Sequence, residues 1–243
     1  MYYDFIMNNS INTVVLLAGG KGTRMREETE FIPKPMVKIG NKPLIIHIID
    51  YFNSFKKFNF IICTGYKEEI IIDYFSKFGD NSVTILPTGL DTNTGGRIMQ
   101  VEKLVDSDFI MTYGDGLSNI NINKLIKYHN SHNKIGTIST TKPKSRFGLV
   151  EFDKEGLVKE FVEKPLLNSY INMGYMVFKK EIFSYINGDE IFENEPLIKL
   201  AKDKNLHAFQ HEGFFRPLDT YREYIEFNNL WENGNAPWKV IDK

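Results

Sequence analysis

Three stretches of this 243-residue chain carry residue types that could do chemistry together. The first is Ala18-Gly19-Gly20-Lys21-Gly22-Thr23-Arg24, directly after the apolar run Thr13–Leu17. Glycines let backbone N–H groups approach a polyphosphate, and Thr23 and Arg24 add a hydroxyl and a fixed charge. The same residues would also serve as a sharp strand exit with a solvated arginine, and the loop alone leaves both readings open. Its spacing is not that of a P-loop, and a dinucleotide fingerprint would meet Met25 at its third glycine. The second stretch is Ile32-Pro33-Lys34-Pro35-Met36, where two prolines stiffen the chain in an extended form. A lysine held this way can meet a phosphate without losing much freedom, or it can be incidental to a rigid surface loop. The third is a pair of carboxylates, Asp115 between Gly114 and Gly116, and Asp219 ahead of Thr220. Alone they read as a turn aspartate and a helix N-cap; jointly they offer the hard oxygen ligands that suit Mg²⁺.

Positioning these groups requires a layered scaffold. The apolar run at 13–17 is too short for a helix and reads as a strand buried on both faces, and further strands are expected at 60–64, 83–86 and 109–113. Helical patterns over 44–55 and 68–78, and a short helix ending near 105 after the polar loop 88–96, separate them. This alternation predicts an α/β fold with right-handed crossovers. Beyond residue 136 the strands at 136–141, 149–152, 158–161 and 172–178 look shorter and more exposed, with a tight turn at Asp153-Lys154-Glu155-Gly156. Helices are expected over 180–186, 191–201 and 220–231. Residues 1–12 read as an N-terminal extension. Residues 13–243 read as a single domain, with a nucleotide-binding half at 13–116 and a substrate-binding half at 117–243.

Thirty Lys and Arg against 31 Asp and Glu leave a formal charge of −1, so nothing general attracts nucleic acid or an anionic membrane. The lone cysteine, Cys63, cannot form an internal disulfide and lies in an apolar run, so it reads as a buried strand residue. No stretch approaches the ~18 apolar residues of a membrane helix, and the N-terminus lacks a signal pattern. A soluble, cytoplasmic protein is expected. His129 and His132 could share a metal at i, i+3, although solvated or capping roles are favoured.

Leu17-Ala18-Gly19-Gly20-x-Gly22-Thr23-Arg24 followed by Pro33-Lys34-Pro35-Met36 resembles the signature of the sugar-1-phosphate nucleotidylyltransferases. The resemblance continues through Tyr113-Gly114-Asp115-Gly116, Glu163-Lys164-Pro165, Asn172-x-Gly174 and Leu218-Asp219-Thr220, nearly the whole chain after residue 12. Thr88-Gly89, Thr92-x-Thr94-Gly95-Gly96-Arg97, Arg146-Phe147-Gly148 and Ala236-Pro237-Trp238 are similar to the glucose-1-phosphate cytidylyltransferase branch. The resemblance implies a three-layer, Rossmann-like nucleotidyltransferase fold with a mostly parallel mixed central sheet. It implies Mg²⁺-dependent cytidylyl transfer from CTP to a sugar 1-phosphate, giving a CDP-sugar for surface-polysaccharide precursors, by a homo-oligomer.

By the same resemblance Leu17, Ala18, Gly19, Gly20, Gly22 and Thr23 would cradle the triphosphate, with Arg24 and Lys34 as catalytic residues. Thr92, Gly95, Arg97 and Gly114 would contact the nucleotide, and Asp115 and Asp219 would hold Mg²⁺. Arg97 could donate to the acceptors O2 and N3 of cytosine, where uracil N3–H would clash donor to donor. Gly148, Glu163, Lys164 and Asn172 would form the acceptor site. One departure from that branch is the short segment 76–87, where its members carry a long excursion near the sugar site. Cytidylyl transfer to a non-sugar phosphate, use of another NTP, and a non-catalytic nucleotide sensor remain as alternative readings.

Overall fold

A computed structural model describes residues 11–25, 29–77 and 81–240. Most of the 1–12 extension lies outside the described residues. In chain order the strands are β1 (Thr13–Leu17), β2 (Lys38–Ile39), β3 (Lys42–Pro43), β4 (Asn59–Thr64), β5 (Val83–Pro87), β6 (Phe109–Tyr113) and β7 (Gly116–Ser118). They continue as β8 (Gly136–Thr141), β9 (Leu149–Phe152), β10 (Val158–Val162), β11 (Ile171–Phe178), β12 (Leu206–Gln210) and β13 (Phe215–Pro217). The helices are α1 (Leu44–Asn53), α2 (Glu68–Ser76), α3 (Thr94–Val101), α4 (Ile122–Asn130), α5 (Glu195–Lys202) and α6 (Tyr221–Glu232).

Seven strands form one sheet in the order β12-β8-β11-β6-β1-β4-β5. All its neighbouring pairs are parallel except those of β11, which runs against both β6 and β8. Alternate strand residues feed two cores. Val14, Leu16, Phe60, Ile62 and Ile110 join α1, α2, α4 and α6 on one side. Val15, Leu17, Ile61, Cys63 and Met111 join α3, α5 and a 3₁₀ turn at Lys180–Tyr185 on the other. Period-two alternation with apolar residues on both faces is what a helix layer on each side demands. The fold is therefore three-layered, as expected.

Helix α1 shows the local logic. It begins after Pro43, whose fixed φ suits a helix start, and it buries Leu44, Ile45, Ile48, Ile49 and Phe52 on one stripe. The Phe52 ring sits 5.7 Å from Phe58, 6.2 Å from Phe60 and 6.0 Å from Tyr175, so truncation to alanine would cost about 3–5 kcal/mol. Cys63 is fully buried and its thiol is pushed up to about 12 by that burial. No described helix is long and apolar enough to cross a membrane.

Candidate functional site

From β1 the chain moves outward to β4 and β5, then returns to the opposite side of β1 to enter β6. A crevice opens at such a switch point, beyond the carboxyl ends of the strands. Here it is a cleft of about 420 Å³ between the glycine loop after β1 and Gly114-Asp115 after β6. Gly114 N–H donates to Leu17 O at 2.9 Å, and Ala18 N–H to Cys63 O at 2.9 Å, which fixes where the loop departs. Gly22 turns the loop with φ +61°, a conformation that glycine adopts freely, into a 3₁₀ turn at Thr23–Met25. Leu17, Ala18, Gly19, Gly20, Gly22, Thr23 and Gly114 all line this cleft, as do Arg24, Lys34, Asp115 and Asp219.

Those last four form its charged centre. Lys34 is 9% exposed, and its Nζ donates to Asp115 Oδ2 at 2.7 Å and to Asp219 Oδ1 at 2.9 Å. Arg24, mostly in solvent, donates to Asp219 Oδ2 at 3.1 Å. Burial alone would lower the Lys34 pKa, but the two carboxylates outweigh it and hold it above the ordinary lysine value. Burial alone would raise Asp219, yet Lys34, Arg24 and Arg146 hold its carboxyl below the ordinary range. The lysine is not extended as the prolines suggested. Pro33 is extended, with ψ 145°, but Lys34–Met36 makes a 3₁₀ turn closed by Met36 N–H on Pro33 O at 2.8 Å. That turn buries Pro35 and Met36 and directs the lysine inward.

Asp219 reaches Asp115 because β13 pairs with β7, Pro217 opposite Gly116, and Leu218 N–H donates to Asp115 O at 2.8 Å. Thr220 is the N-cap of α6, and the carboxylate of Glu223 accepts from the N–H of Asp219 and of Thr220 at 3.0 and 2.6 Å. With that capping box in place, the Asp219 carboxylate is directed at the cations instead. No group of three or more His, Cys, Asp or Glu side chains is placed to hold a metal ion among the described residues. Two carboxylates converging on one cation nevertheless fit Mg²⁺, whose shell is completed by phosphates and water.

On the other wall stand Thr92, Asn93, Thr94 and Arg97. The Arg97 guanidinium is engaged with the protein itself. Nη1 donates to Thr64 O at 2.7 Å and to Thr88 Oγ1, and Nη2 to Gly19 O at 3.2 Å and Leu90 O at 3.4 Å. A Cβ on Gly19 would overlap this guanidinium, so the glycine is needed for the close approach. Arg97 thus ties the glycine loop, the end of β4 and the 88–92 loop into one unit. Gly95 does not line the cleft; its N–H donates to Glu190 O at 2.8 Å beneath it.

The four residues expected at the acceptor site lie elsewhere. Glu163 and Lys164 form an exposed ion pair at 3.0 Å, and Gly148 sits under the Phe161 ring. Asn172 uses its Oδ1 to accept from Gly174 N–H at 2.9 Å. None of the four is among the residues lining the cleft. His129 Nδ1 and His132 Nε2 share Thr137 Oγ1 of β8, at 2.8 and 2.9 Å, and neither histidine lines the cleft.

The architecture has a counterpart among known proteins: a family model described as nucleotidyl transferase (NTP_transferase) matches residues 13–230. The chain belongs to the nucleotidyl transferase family. This transferase is 39% identical over 251 residues to the probable glucose-1-phosphate cytidylyltransferase of Bacillus subtilis (strain 168), covering 93% of this chain and 98% of the relative. It is 38% identical over 253 residues to the glucose-1-phosphate cytidylyltransferase of Salmonella typhimurium (strain LT2), again covering 93% and 98%. Among solved structures, HddC from Yersinia pseudotuberculosis complexed with GMP-PN matches with a TM-score of 0.71 at 28% identity, covering 91% of this transferase and 100% of that chain.

The cleft wall also includes and rests on residues to which the sequence analysis gave no role. Tyr113 and Ile191 line the cleft, and the Tyr113 hydroxyl donates to Glu193. Glu193 also accepts from Thr94 Oγ1 at 2.8 Å, so one carboxylate holds two wall residues from different elements. Asp189 supports the same wall by accepting from Asn93 N–H at 2.7 Å. These acids sit in the run Asp189 to Glu195, most of which the sequence placed in a helix over 191–201; the helix itself begins only at Glu195. Only the packing of that run against the start of α3 reveals its role.

Proposed function

We propose that this enzyme transfers a cytidylyl group from CTP to glucose 1-phosphate or a related sugar 1-phosphate, releasing pyrophosphate. The resulting CDP-sugar would suit surface-polysaccharide precursor synthesis. The observation that carries this reading is Lys34 held between Asp115 and Asp219 under the glycine loop. The names of the relatives at 38–39% identity support the choice of CTP and glucose 1-phosphate.

The sugar-phosphate oxygen attacks the α-phosphorus in line; the new P–O bond forms as the α–β bridging bond breaks and pyrophosphate leaves. No covalent enzyme intermediate is needed, so catalysis rests on positioning and charge. The glycine loop binds the triphosphate, and Arg24 at its end neutralises the departing pyrophosphate. Lys34 stands between the phosphate groups and offsets the charge that gathers at the α-phosphorus. Asp115 and Asp219 would hold Mg²⁺, which when bound supplies charge neutralisation and phosphate alignment. Because Arg97 is engaged with carbonyls, contacts to the pyrimidine edge fall to the loop it holds, where Thr92 and Asn93 line the cleft.

The test is pyrophosphate release with Mg²⁺, crossing CTP, UTP, dTTP, ATP and GTP against a panel of sugar 1-phosphates and phosphocholine. Turnover is expected with CTP and glucose 1-phosphate. Turnover confined to another nucleotide, or to phosphocholine, refutes the assignment.

A further inference from the structure

The acceptor in the proposed transfer brings a phosphate monoester, nearly doubly charged at neutral pH. It has to come up against a nucleotide that is itself a polyanion, so a cation is needed on the entry side as well as on the side of the departing pyrophosphate. Arg24, at the end of the glycine loop, serves the pyrophosphate. Lys164, expected at the acceptor site, is instead paired with Glu163 at 3.0 Å and does not line the cleft. The cation that reaches the charged centre from the later half of the chain is Arg146.

Between β8 and β11 the chain leaves the central sheet as an antiparallel arm, and Arg146 stands at its base. Ser145 N–H donates to Pro165 O at 2.8 Å, and Phe147 N–H to Ser145 Oγ at 3.1 Å. The backbone on either side of the arginine is thereby held, while its side chain stays 68% exposed. The guanidinium extends from the arm to the first turn of α6, where Nη2 lies 3.7 Å from Glu223 Oε1. That separation is an ion pair longer than a hydrogen bond, so it does not use up the donors of the fork. Glu223 is itself fixed, because its Oε2 accepts from the N–H of Asp219 and of Thr220 at 3.0 and 2.6 Å. One carboxylate thus seats the Asp219 backbone and attracts Arg146 to the same place. Burial works against the charged form of Asp219, yet Arg146 joins Lys34 and Arg24 in holding that carboxyl below the ordinary range.

We propose, resting on the cytidylyl-transfer reading, that the Arg146 guanidinium binds the phosphate monoester of the acceptor. Two arginines then serve the site around Asp219 from separate segments, Arg24 from the loop after β1 and Arg146 from the arm after β8. An in-line displacement needs such a division, since the entering and leaving oxygens lie on opposite sides of the α-phosphorus. The residue type fits the task. A planar fork presents two parallel N–H groups to a phosphate, which adds orientation to charge neutralisation. Its long contact with Glu223 keeps the arginine at the site in the free enzyme, so little freedom is lost when the phosphate arrives.

Steady-state pyrophosphate release by the full chain, with CTP and glucose 1-phosphate varied in turn, tests this. Arg146→Gln is expected to raise the KM for glucose 1-phosphate about 10- to 100-fold, the scale of a lost charge-assisted contact, and to leave the KM for CTP within about twofold. Arg146→Lys should recover only part of the loss, because an ammonium is a point charge without the fork. Thermal stability should be unchanged in both variants, since an exposed ion pair contributes little. An unaltered acceptor KM in Arg146→Gln overturns the proposal. So does a lower kcat with a shifted Mg²⁺ requirement and the same acceptor KM, because Arg146 would then act only by positioning Asp219 through Glu223. If wild type releases pyrophosphate with no nucleotide, the transfer reading fails by itself, and calorimetric titration with glucose 1-phosphate alone judges Arg146. Binding that Arg146→Gln loses sustains the role; equal binding, or none to wild type, refutes it.

Discussion

Replacing Lys34 by methionine keeps the apolar stem and removes the ammonium, leaving Asp115 and Asp219 converging on an empty point. Lys34 is buried, whereas the side chains of Asp115 and Asp219 are 33% and 20% exposed. Removing one partner of a fully buried ion pair costs about 3–5 kcal/mol, and each charge-assisted hydrogen bond about 1.5–3. Partial solvation of both carboxylates reduces this, so about 2–3 kcal/mol is expected. At ~2–4 °C per kcal/mol for a chain of this size, Tm should fall by about 5–10 °C. Without the ammonium, the paired carboxylates should take up a divalent cation more readily. Millimolar Mg²⁺ should therefore raise the Tm of Lys34→Met more than that of wild type. Turnover should fall by about 10²–10³, as when one preorganised donor to developing charge is removed, and Mg²⁺ should not restore it. Scanning calorimetry with and without Mg²⁺, beside a pyrophosphate-release assay at saturating substrates, measures both effects. A folded Lys34→Met with near-wild-type turnover would refute the catalytic role. An equal Mg²⁺ response in both proteins would refute the shared carboxylate site.

Arg97→Lys loses the guanidinium bonds to Thr64 O, Gly19 O and Leu90 O. The KM for CTP should rise at least about 10-fold through loop misplacement, with the acceptor KM nearly unchanged; an unaltered CTP KM would show that the arginine organises nothing. Glu193→Gln should weaken the hold on Tyr113 and Thr94 and alter kcat/KM by about 10-fold with little change in Tm, because the isostere keeps the packing. Equal kinetics would sink its positioning role. Burial, then His207, His129 and Lys179, lower the His132 pKa from 6.5 to about 4. The unfolded chain therefore binds a proton that the folded chain refuses. The stability associated with neutral His132 is complete above pH 6.5 and is lost as pH falls through about 4. Two and a half pKa units correspond to about 3 kcal/mol as an upper bound, and solvent screening brings this to about 1–2. Urea unfolding at pH 7.5 and pH 4.5 should show His132→Gln losing less stability than wild type on acidification; identical losses would refute this.

Much of the molecule is legible in local sequence. Thr13–Leu17 and Phe109–Tyr113 stand where their uninterrupted apolar runs put them, because only a strand covered by helices on both faces buries such a run. The apolar stripe of α1 and the turn glycine Gly22 are likewise local consequences of periodicity and backbone freedom. The glycine loop and the Pro-Lys-Pro segment, singled out in the sequence, both line the cleft, since each presents its groups within a few residues of chain. Local sequence did not show that β13 would pair with β7 and bring Asp219 to Asp115, for Phe215–Pro217 is too short to carry a strand pattern. The resemblance placed Arg97 at a base; the tertiary structure surrounds that guanidinium with carbonyls from three separate segments, which no local pattern predicts. Glu193 was hidden for the same reason: its acidic run acquires meaning only against α3 and Tyr113. Sequence determined the elements and the groups each could present, because helix, strand and turn preferences act between near neighbours. Which groups meet was decided by strand order and crossover packing, whose stabilising contacts join residues that propensity cannot relate.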